Sequence, residues 1–387
     1  MRIGIDCHNL ETHRMGTARY LTNLLKYWST SQYLHTKKYG SVKFVLYFKK
    51  KIPKDIHCLA DRRACLAGKQ AKSGNFEAKI LKSKSNALFM HYFLPKAAKK
   101  DRVDILFCPN YVAPIFYKGK IALVLHDIIY EARPNLYNWP SIFDRILLKK
   151  ISKISAKKAK IIFTCSQFSR NEILKYYKIN PKKIFVIPLA ADNVGHSTSN
   201  IKKKYGIKDK FIFYIGAIFN RRFVPQTIKA FAKIANKLPN YQFLISGPNH
   251  TYPFIDIDDL IKKANQKIGR EAILHINYIK EQDLTLVYNR ADLFIWLSSY
   301  EGFGLPPLEA MACKTPVITT KMGSLPETVD NAALFVKNPE NIDEISKAIY
   351  KGLTDKSLQQ ELIKKGLEQT KKFSWQKTAE KTLKILL

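Results

Sequence analysis

Acidic residues are scarce in this chain. Its 387 residues include 31 Asp and Glu against 66 Lys and Arg, a formal net charge of +35. Residues 1–200 hold 37 basic and 12 acidic side chains, a balance of +25, and residues 201–387 hold 29 and 19, a balance of +10. A field of that sign selects polyanionic partners: nucleic acid, an anionic membrane surface or a phosphorylated substrate. Long apolar runs are also missing. A membrane-spanning helix needs ~20 consecutive apolar residues, and the runs at 121–125 and 293–297 are far shorter. The opening Met1-Arg2-Ile3-Gly4-Ile5-Asp6 meets a carboxylate too early for a secretory signal. Without such a signal, the glycosylation sequon at Asn249-His250-Thr251 carries no weight. The six cysteines, at 7, 58, 65, 108, 165 and 313, form no C-x-x-C. That excludes a disulfide framework and a zinc ribbon, and leaves reduced, mostly buried thiols in a cytoplasmic protein as the expectation. G-x-x-x-x-G-K-[ST], G-x-G-x-x-G, H-E-x-x-H and G-x-S-x-G are all absent.

Apolar material is ample. Hydrophobic residues make up 46% of the chain and aromatic ones 12%, enough for large cores and too much for a disordered chain. A length of 387 residues suggests two domains. Strand patterns fall at 2–6, 42–48, 103–108, 121–126, 160–164 and 184–188, then at 211–215, 241–246, 273–276, 292–297, 316–319 and 333–336. Helical spacing separates them. At 16–28, for example, Tyr20, Leu21, Leu24, Leu25 and Trp28 recur on one face. The stretches 141–154 and 166–177 also read as helices, and so does the Lys-rich tail from about 341. Residues 50–100, Lys-rich and weakly patterned, read as irregular or helical. Residues 189–200, small and polar, read as a linker.

Strands alternating with helices imply parallel sheets covered on both faces. The expected fold class is therefore α/β, with two Rossmann-like domains facing across a cleft. The expected boundaries are 1–190, 191–365 and a C-terminal helix at 366–387 that packs back on the first domain. No internal repeat or low-complexity tract is present.

Ligands of open α/β sheets lie beyond the carboxyl ends of the strands. That rule directs attention to 9–17, His126-Asp127, 216–222, 247–248 and 298–304. The most informative of these begins at Ser299-Tyr300-Glu301-Gly302-Phe303-Gly304 and continues through Leu305-Pro306-Pro307-Leu308-Glu309. Gly302 and Gly304 permit a tight turn and a close backbone approach, and Pro306 and Pro307 suit the first turn of a helix. A helix N-terminus fed by a glycine loop attracts anions through its amides and its dipole. Glu301 and Glu309 bracket the turn, and eight residues of ideal helix span about 12 Å. One carboxylate can hold a sugar and the other a ribose, with phosphates between. A single Glu at a helix start is otherwise explained by the dipole alone. Asp256-Ile257-Asp258 reads as helix-start acids, not as a metal-diphosphate motif. Charge on a diphosphate must then be met by arginines and backbone amides.

Glu301 and Glu309 match the E-x7-E motif of the retaining glycosyltransferases of family 4, which have the GT-B fold. The match extends through Pro316-Val317-Ile318 and Ser324-Leu325-Pro326-Glu327-Thr328-Val329, so the chain resembles that family, most closely over 210–340 and more loosely over 1–190. The resemblance implies that Glu301 contacts the donor sugar, that Glu309 contacts the nucleotide ribose, and that the loop at Gly302, Phe303, Gly304 and Leu305 meets sugar and diphosphate. It also implies that Gly216 and the basic pair Arg221 and Arg222 contact the diphosphate. Arg222 stands where relatives usually carry Lys, and Ala217 where some carry Arg. His126 resembles the family's active-site His, followed by Asp127. Gly16 and Thr17 resemble its glycine loop, with Ala18 in place of the second glycine, and 187–192 resembles its inter-domain crossing. Tyr278 and Ile279 sit where relatives hold the nucleobase.

The implied activity is metal-independent transfer of a hexose, mannose favoured, with retention. The donor would be a GDP- or UDP-hexose, with no further cofactor. The acceptor would be a saccharide or lipid-linked saccharide, in polysaccharide or glycoconjugate biosynthesis. His126, Glu301 and Arg222 are the expected catalytic residues. The enzyme would be cytoplasmic and attracted peripherally to the inner membrane face, with nucleic acid not favoured. Two other readings remain at this stage. One is a basic protein that binds or modifies nucleic acid, and the other is a silent partner of an active glycosyltransferase.

Overall fold

The computed structural model describes residues 1–11, 16–30, 42–54, 56, 75–137, 139, 141–191 and 200–387. Two compact units divide the chain. The first comprises Met1–Ala132, Trp139–Leu189 and Ser374–Leu387, and the second Arg133–Asn138 and Ala190–Phe373.

The first unit contains β1 (Arg2–Asp6), β2 (Lys43–Phe48), β3 (Phe76–Ile80), β4 (Ile105–Cys108), β5 (Lys120–Val124), β6 (Ile161–Thr164) and β7 (Ile184–Val186). They form one parallel sheet in the order β3-β2-β1-β4-β5-β6-β7. Register is set at the centre, where Ile5 pairs with Leu46 on one side and Phe107 on the other. The central strands are apolar end to end because both of their faces are covered: all four residues of Ile105–Cys108 and the last five of Lys43–Phe48 are buried. Helices Thr17–Thr30, Ile142–Lys158 and Gln167–Tyr177 cover this sheet. Ser141 and Ser166 open the last two by accepting the amides of Asp144 and Ser169.

The second unit contains β8 (Lys210–Ile215), β9 (Tyr241–Ser246), β10 (Ile273–Ile276), β11 (Leu293–Trp296), β12 (Val317–Thr320) and β13 (Leu334–Val336). This sheet is also parallel, in the order β10-β9-β8-β11-β12-β13. Its core gathers Phe213, Phe294, Trp296, Ile318, Phe231 and Ile349 among many others.

The structure corrects one element. Residues 76–80 (Phe-Glu-Ala-Lys-Ile) lie in the stretch read as irregular or helical, yet they form β3. β3 ends the sheet, so only Phe76 is buried and the strand needs no apolar run. Helical turns do follow it from Asn86 to Lys100. Most of the expected linker, 192–199, lies outside the described residues, as do Cys58 and Cys65. Cys7, Cys108, Cys165 and Cys313 are buried free thiols.

The tail forms helices Ile342–Thr354, Lys356–Thr370 and Trp375–Leu386. The last belongs to the first unit, where it lies along Thr17–Thr30: Trp28 Nε1 donates to Ala379 O at 2.9 Å, and Thr378 Oγ1 donates to Pro188 O at 2.7 Å. Among the described residues, no helix is long and apolar enough to cross a membrane.

Candidate active site

In the second unit the sheet reverses its winding between β8 and β11, the place where open α/β sheets hold ligands. The turn after β8 begins at Gly216, whose φ is +129°. A Cβ there would stand 3.0 Å from both Arg222 Nη1 and the Trp296 ring. Gly247, after β9, has φ +137°, and a Cβ would run into the Gly216 carbonyl. These two positions need glycine for space as well as for conformation.

The short turn Asn220–Arg222 then delivers both arginines. Arg222 Nε donates to Glu301 Oε1 at 3.2 Å, and Nη1 donates to Ala217 O at 2.8 Å. The guanidinium lies 4.3 Å from the centre of the Trp296 ring. Both members of the Arg222–Glu301 pair are only 13% exposed. Burial alone would pull the Arg222 pKa down. Glu301 and Tyr214 more than offset it, so the shift is upward and the group stays cationic. Arg221 sits 4.1 Å over the Phe219 ring, which stacks on His250 at 5.7 Å. Its carbonyl accepts Ser299 N at 2.9 Å, which ties this turn to the loop after β11.

Glu301 is fixed from several sides. Oε1 also accepts Ser298 Oγ at 2.9 Å, and the Glu301 carbonyl accepts Ser324 Oγ at 2.9 Å. Gly323, at φ +62°, leaves room for the Glu301 backbone, since a Cβ would stand 2.8 Å from Glu301 N. The Phe303 carbonyl accepts Thr328 Oγ1. Gly304, at φ +101°, caps helix Leu305–Ala312 with no side-chain cap. Pro306 and Pro307 open that helix as the sequence suggests. They also lack N–H groups, so two of the amide donors that a helix N-terminus normally presents are missing here. Glu309 is buried inside the same helix, where Oε2 accepts the Tyr288 hydroxyl at 2.9 Å. Tyr278, after β10, is 58% exposed, whereas the Ile279 side chain belongs to the core. Of that pair, only Tyr278 offers a side chain to a base. Asp256 caps helix Ile257–Ile268, as read from the sequence.

In the first unit, His126 follows β5. Its carbonyl accepts Ser169 Oγ at 2.8 Å and Cys165 Sγ at 3.1 Å, and its ring meets Tyr20 edge-on at 4.9 Å. Burial pushes its pKa down to about 4, so the ring is neutral at pH 7. Nε2 is buried with no hydrogen-bond partner among the described residues. Asp127 Oδ1 accepts Ile129 N at 3.1 Å and starts the turn Ile129–Ala132. Gly16, at φ +54°, is exposed, and its carbonyl accepts Tyr20 N at 3.1 Å. Thr17 starts helix Thr17–Thr30. Residues 12–15, which precede Gly16, lie outside the described residues.

Sequence reasoning missed several contributors. Trp296 reads as one more apolar strand residue, yet its ring underlies Arg222. Ser298, Gly323 and Ser324 orient Glu301, and Thr328 holds Phe303. The only signal for Ser324 and Thr328 was their place within a stretch resembling the family. Among the described residues, no group of three or more His, Cys, Asp or Glu side chains is placed to hold a metal ion.

The comparisons with known proteins fit this geometry. Residues 197–369 match the domain family Glycosyl transferases group 1, and residues 55–193 match Glycosyltransferase Family 4. The O-antigen chain mannosyltransferase B of Escherichia coli is 31% identical over 300 residues, covering 74% of this chain and 75% of that protein. The serotype-specific mannosyltransferase WbdA of Escherichia coli is 28% identical over 270 residues. That match covers 67% of this chain but only 32% of WbdA, a much longer protein. Among solved structures, sucrose-phosphate synthase from Thermosynechococcus elongatus superposes with a TM-score of 0.69 at 18% identity, covering 100% of this chain and 98% of that one. Anabaena HepE in complex with UDP and glucose gives 0.70 at 14% identity, covering 100% and 99%. Two Rossmann-like units with parallel sheets, a fold shared with these structures, and a relative above 30% identity along most of both chains lead to one conclusion: the chain belongs to the GT-B glycosyltransferases, of the group 1 and family 4 kind.

Proposed function

We propose that this glycosyltransferase moves a hexose, mannose favoured, from a GDP- or UDP-hexose to a saccharide or lipid-linked saccharide, with retention and without a metal ion. The observation that carries the proposal is the largely buried Arg222–Glu301 pair at the switch point of the second sheet, with the Arg222 guanidinium laid over Trp296. The preference for mannose, and the place in polysaccharide biosynthesis, rest on the names of the O-antigen relatives. The nucleotide-sugar donor is supported by the UDP carried by HepE.

In this reading the leaving diphosphate gathers charge as the anomeric carbon becomes oxocarbenium-like. Arg222, Arg221 and the amides from Gly302 to Leu305 stabilise that charge where it develops. Glu301, held by Ser298 and Arg222, takes a donor-sugar hydroxyl. Glu309 takes the ribose and Tyr278 the base. Gly216 lets the backbone come close to the phosphates. Gly16, Thr17 and Asp127 serve the acceptor-side loops. His126, neutral at working pH, serves the sugar as a hydrogen-bonding group rather than as a cation. The acceptor hydroxyl attacks from the face the diphosphate leaves, and its proton passes to a phosphate oxygen.

The enzyme works in the cytoplasm, drawn peripherally to an anionic inner membrane face by its basic first half. The test is a donor-hydrolysis screen over nucleotide hexoses, with Glu301→Gln as control. One GDP- or UDP-hexose should be turned over, and Glu301→Gln should slow that turnover at least ~10²-fold. Absence of turnover for every nucleotide sugar would overturn the reading.

A further inference from the structure

Helix Ile142–Lys158 in the first unit leaves three of its aliphatic side chains in water. Its packed face is small and hydroxylated: Ser152, Ser155 and Ala156 are all buried. Ser152 Oγ lies 2.6 Å from the Tyr130 hydroxyl and 2.9 Å from that of Tyr177. Ser155 Oγ accepts Ala113 N at 3.0 Å and donates to Ala113 O at 3.2 Å. Leu148 and Ile151 are half-buried, but three other aliphatic side chains face water, with Ile146 49%, Leu147 56% and Ile154 46% exposed. Leu147 and Ile154 are seven residues apart, two turns on one face, with Lys150 between them and Lys158 one turn beyond. Lys158 Nζ donates to the carbonyl of Ile115, which anchors the loop carrying Phe116, the most exposed large apolar side chain described, at 76%. Basic residues interleave with this patch. Residues 142–158 contain Arg145, Lys149, Lys150, Lys153, Lys157 and Lys158 against a single acid, Asp144.

A row of exposed aliphatics on such a helix is explained by neither solubility nor core packing. Apolar side chains with lysines at their rim match a bilayer surface, where the aliphatics enter the headgroup boundary and the long lysine stems reach anionic phosphates. Charge complementarity selects the lipid: the excess of +25 lies in residues 1–200. We propose that the face formed by Ile146, Leu147, Ile154 and Phe116, with Lys150 and Lys157, docks on an anionic phospholipid surface. The proposal gives the membrane attraction of the preceding reading a defined surface. It is tested without nucleotide sugar, so lipid docking and donor chemistry can fail separately.

The experiment is co-sedimentation of the full chain with vesicles of phosphatidylcholine alone or with about one third phosphatidylglycerol. Wild type should partition at least tenfold better onto the anionic vesicles, less so as salt rises. Leu147→Ser with Ile154→Ser should lower that partition at least tenfold, with melting temperature, sedimentation coefficient and donor hydrolysis unchanged. Lys150→Ala with Lys157→Ala should lower it roughly 25-fold at low salt, since each charge contributes ~1 kcal/mol, about fivefold. Equal binding to both vesicle types, or variants that bind like wild type, would overturn the proposal. So would an apolar pair whose loss changes the sedimentation coefficient of wild type from an oligomer to a monomer, because the patch would then be an interface between copies.

Discussion

The two sheets wind alike, and at matching places they carry opposite chemistry. In each, the first strand lies beside the fourth, β1 beside β4 and β8 beside β11, and the strand order reverses at that pair. Beyond β8 and β11 stand a guanidinium, a carboxylate and the glycine loop Gly302–Leu305 that leads into a helix N-terminus. Beyond β1 and β4 stand an acid, an imidazole and two amides. Asp6 is fully buried, with Oδ1 2.6 Å from His8 Nδ1, and Asn9 donates to Asn110. Asp6 Oδ2 and Asn110 Nδ2 are buried there without hydrogen-bond partners among the described residues. Topology thus fixes where strand-end groups converge, and the side chains decide what they select. Arginine with backbone amides draws a diphosphate. A buried carboxylate repels one and prefers hydroxyl or imidazolium donors.

Arg222→Ala should break the comparison most completely. It removes the fork proposed to meet phosphate and leaves the largely buried Glu301 without its cation. Donor hydrolysis should fall ~10³-fold, the scale of losing an electrostatic donor at a developing charge. An unfolding midpoint should fall as well, by up to ~3 kcal/mol, for the stranded carboxylate. Arg222→Lys separates the two effects. It keeps the charge for Glu301 but not the planar fork, so stability should largely return while turnover stays at least tenfold low. Full turnover in the Lys variant would reduce Arg222 to a point charge.

A smaller effect distinguishes two histidines of the first sheet. For His8, burial pulls the pKa down, but Asp6 outweighs it through charge and hydrogen bond, and the net shift is upward. For His126, burial acts alone and the pKa falls to about 4. An unfolded His titrates near ~6.5. Between about 4 and 6.5 the unfolded chain therefore binds a proton that folded His126 refuses, and stability rises with pH across that window. The accumulated difference is up to ~3 kcal/mol at 1.36 kcal/mol per unit. His8 has the opposite sign: its contribution is present below ~6.5 and fades as pH rises through its raised folded value. Denaturant melts from pH 4.5 to 7.5 should show His126→Phe flattening the acid side, and Asp6→Asn flattening the side above 6.5. An unchanged slope in His126→Phe would mean that the imidazole is solvated in the folded state.

Much of this was legible in sequence, for one physical reason. Strands covered on both faces must be continuous apolar runs, so Leu293–Trp296 and Ile105–Cys108 stand out, and the polar residues that follow them are candidate ligand groups. Glu301, Arg222 and His126 were found in that way, with the family resemblance supplying their expected roles. What was not legible depends on contacts between distant residues. β3 is an edge strand and carries little apolar pattern. The return of the tail helix to the first unit was an expectation, but the contact that holds it was not: Trp28 donates to Ala379, 351 residues away. Trp296 gives no sign in an apolar run that its ring supports an arginine. Helix Ile142–Lys158 shows helical spacing, but spacing alone does not say which face meets the core, and here Ile146, Leu147 and Ile154 lie on the exposed face.

The smallest effect is expected at Tyr278. Of the two residues assigned to the nucleobase, Ile279 is core and only Tyr278 is exposed. A base stacked on an exposed ring gains on the order of 1 kcal/mol, and that gain is the same in ground and transition states because the base takes no part in bond cleavage. Such uniform binding appears in KM and not in kcat. Tyr278→Ala should therefore raise the donor KM about fivefold with kcat within twofold, and Tyr278→Phe should behave as wild type. Ile279→Ala should act through stability alone, costing ~2–4 kcal/mol for a truncated core aliphatic with KM unchanged. An unaltered donor KM in Tyr278→Ala would move the base away from β10, and with it the outer limit of the donor site at the second switch point.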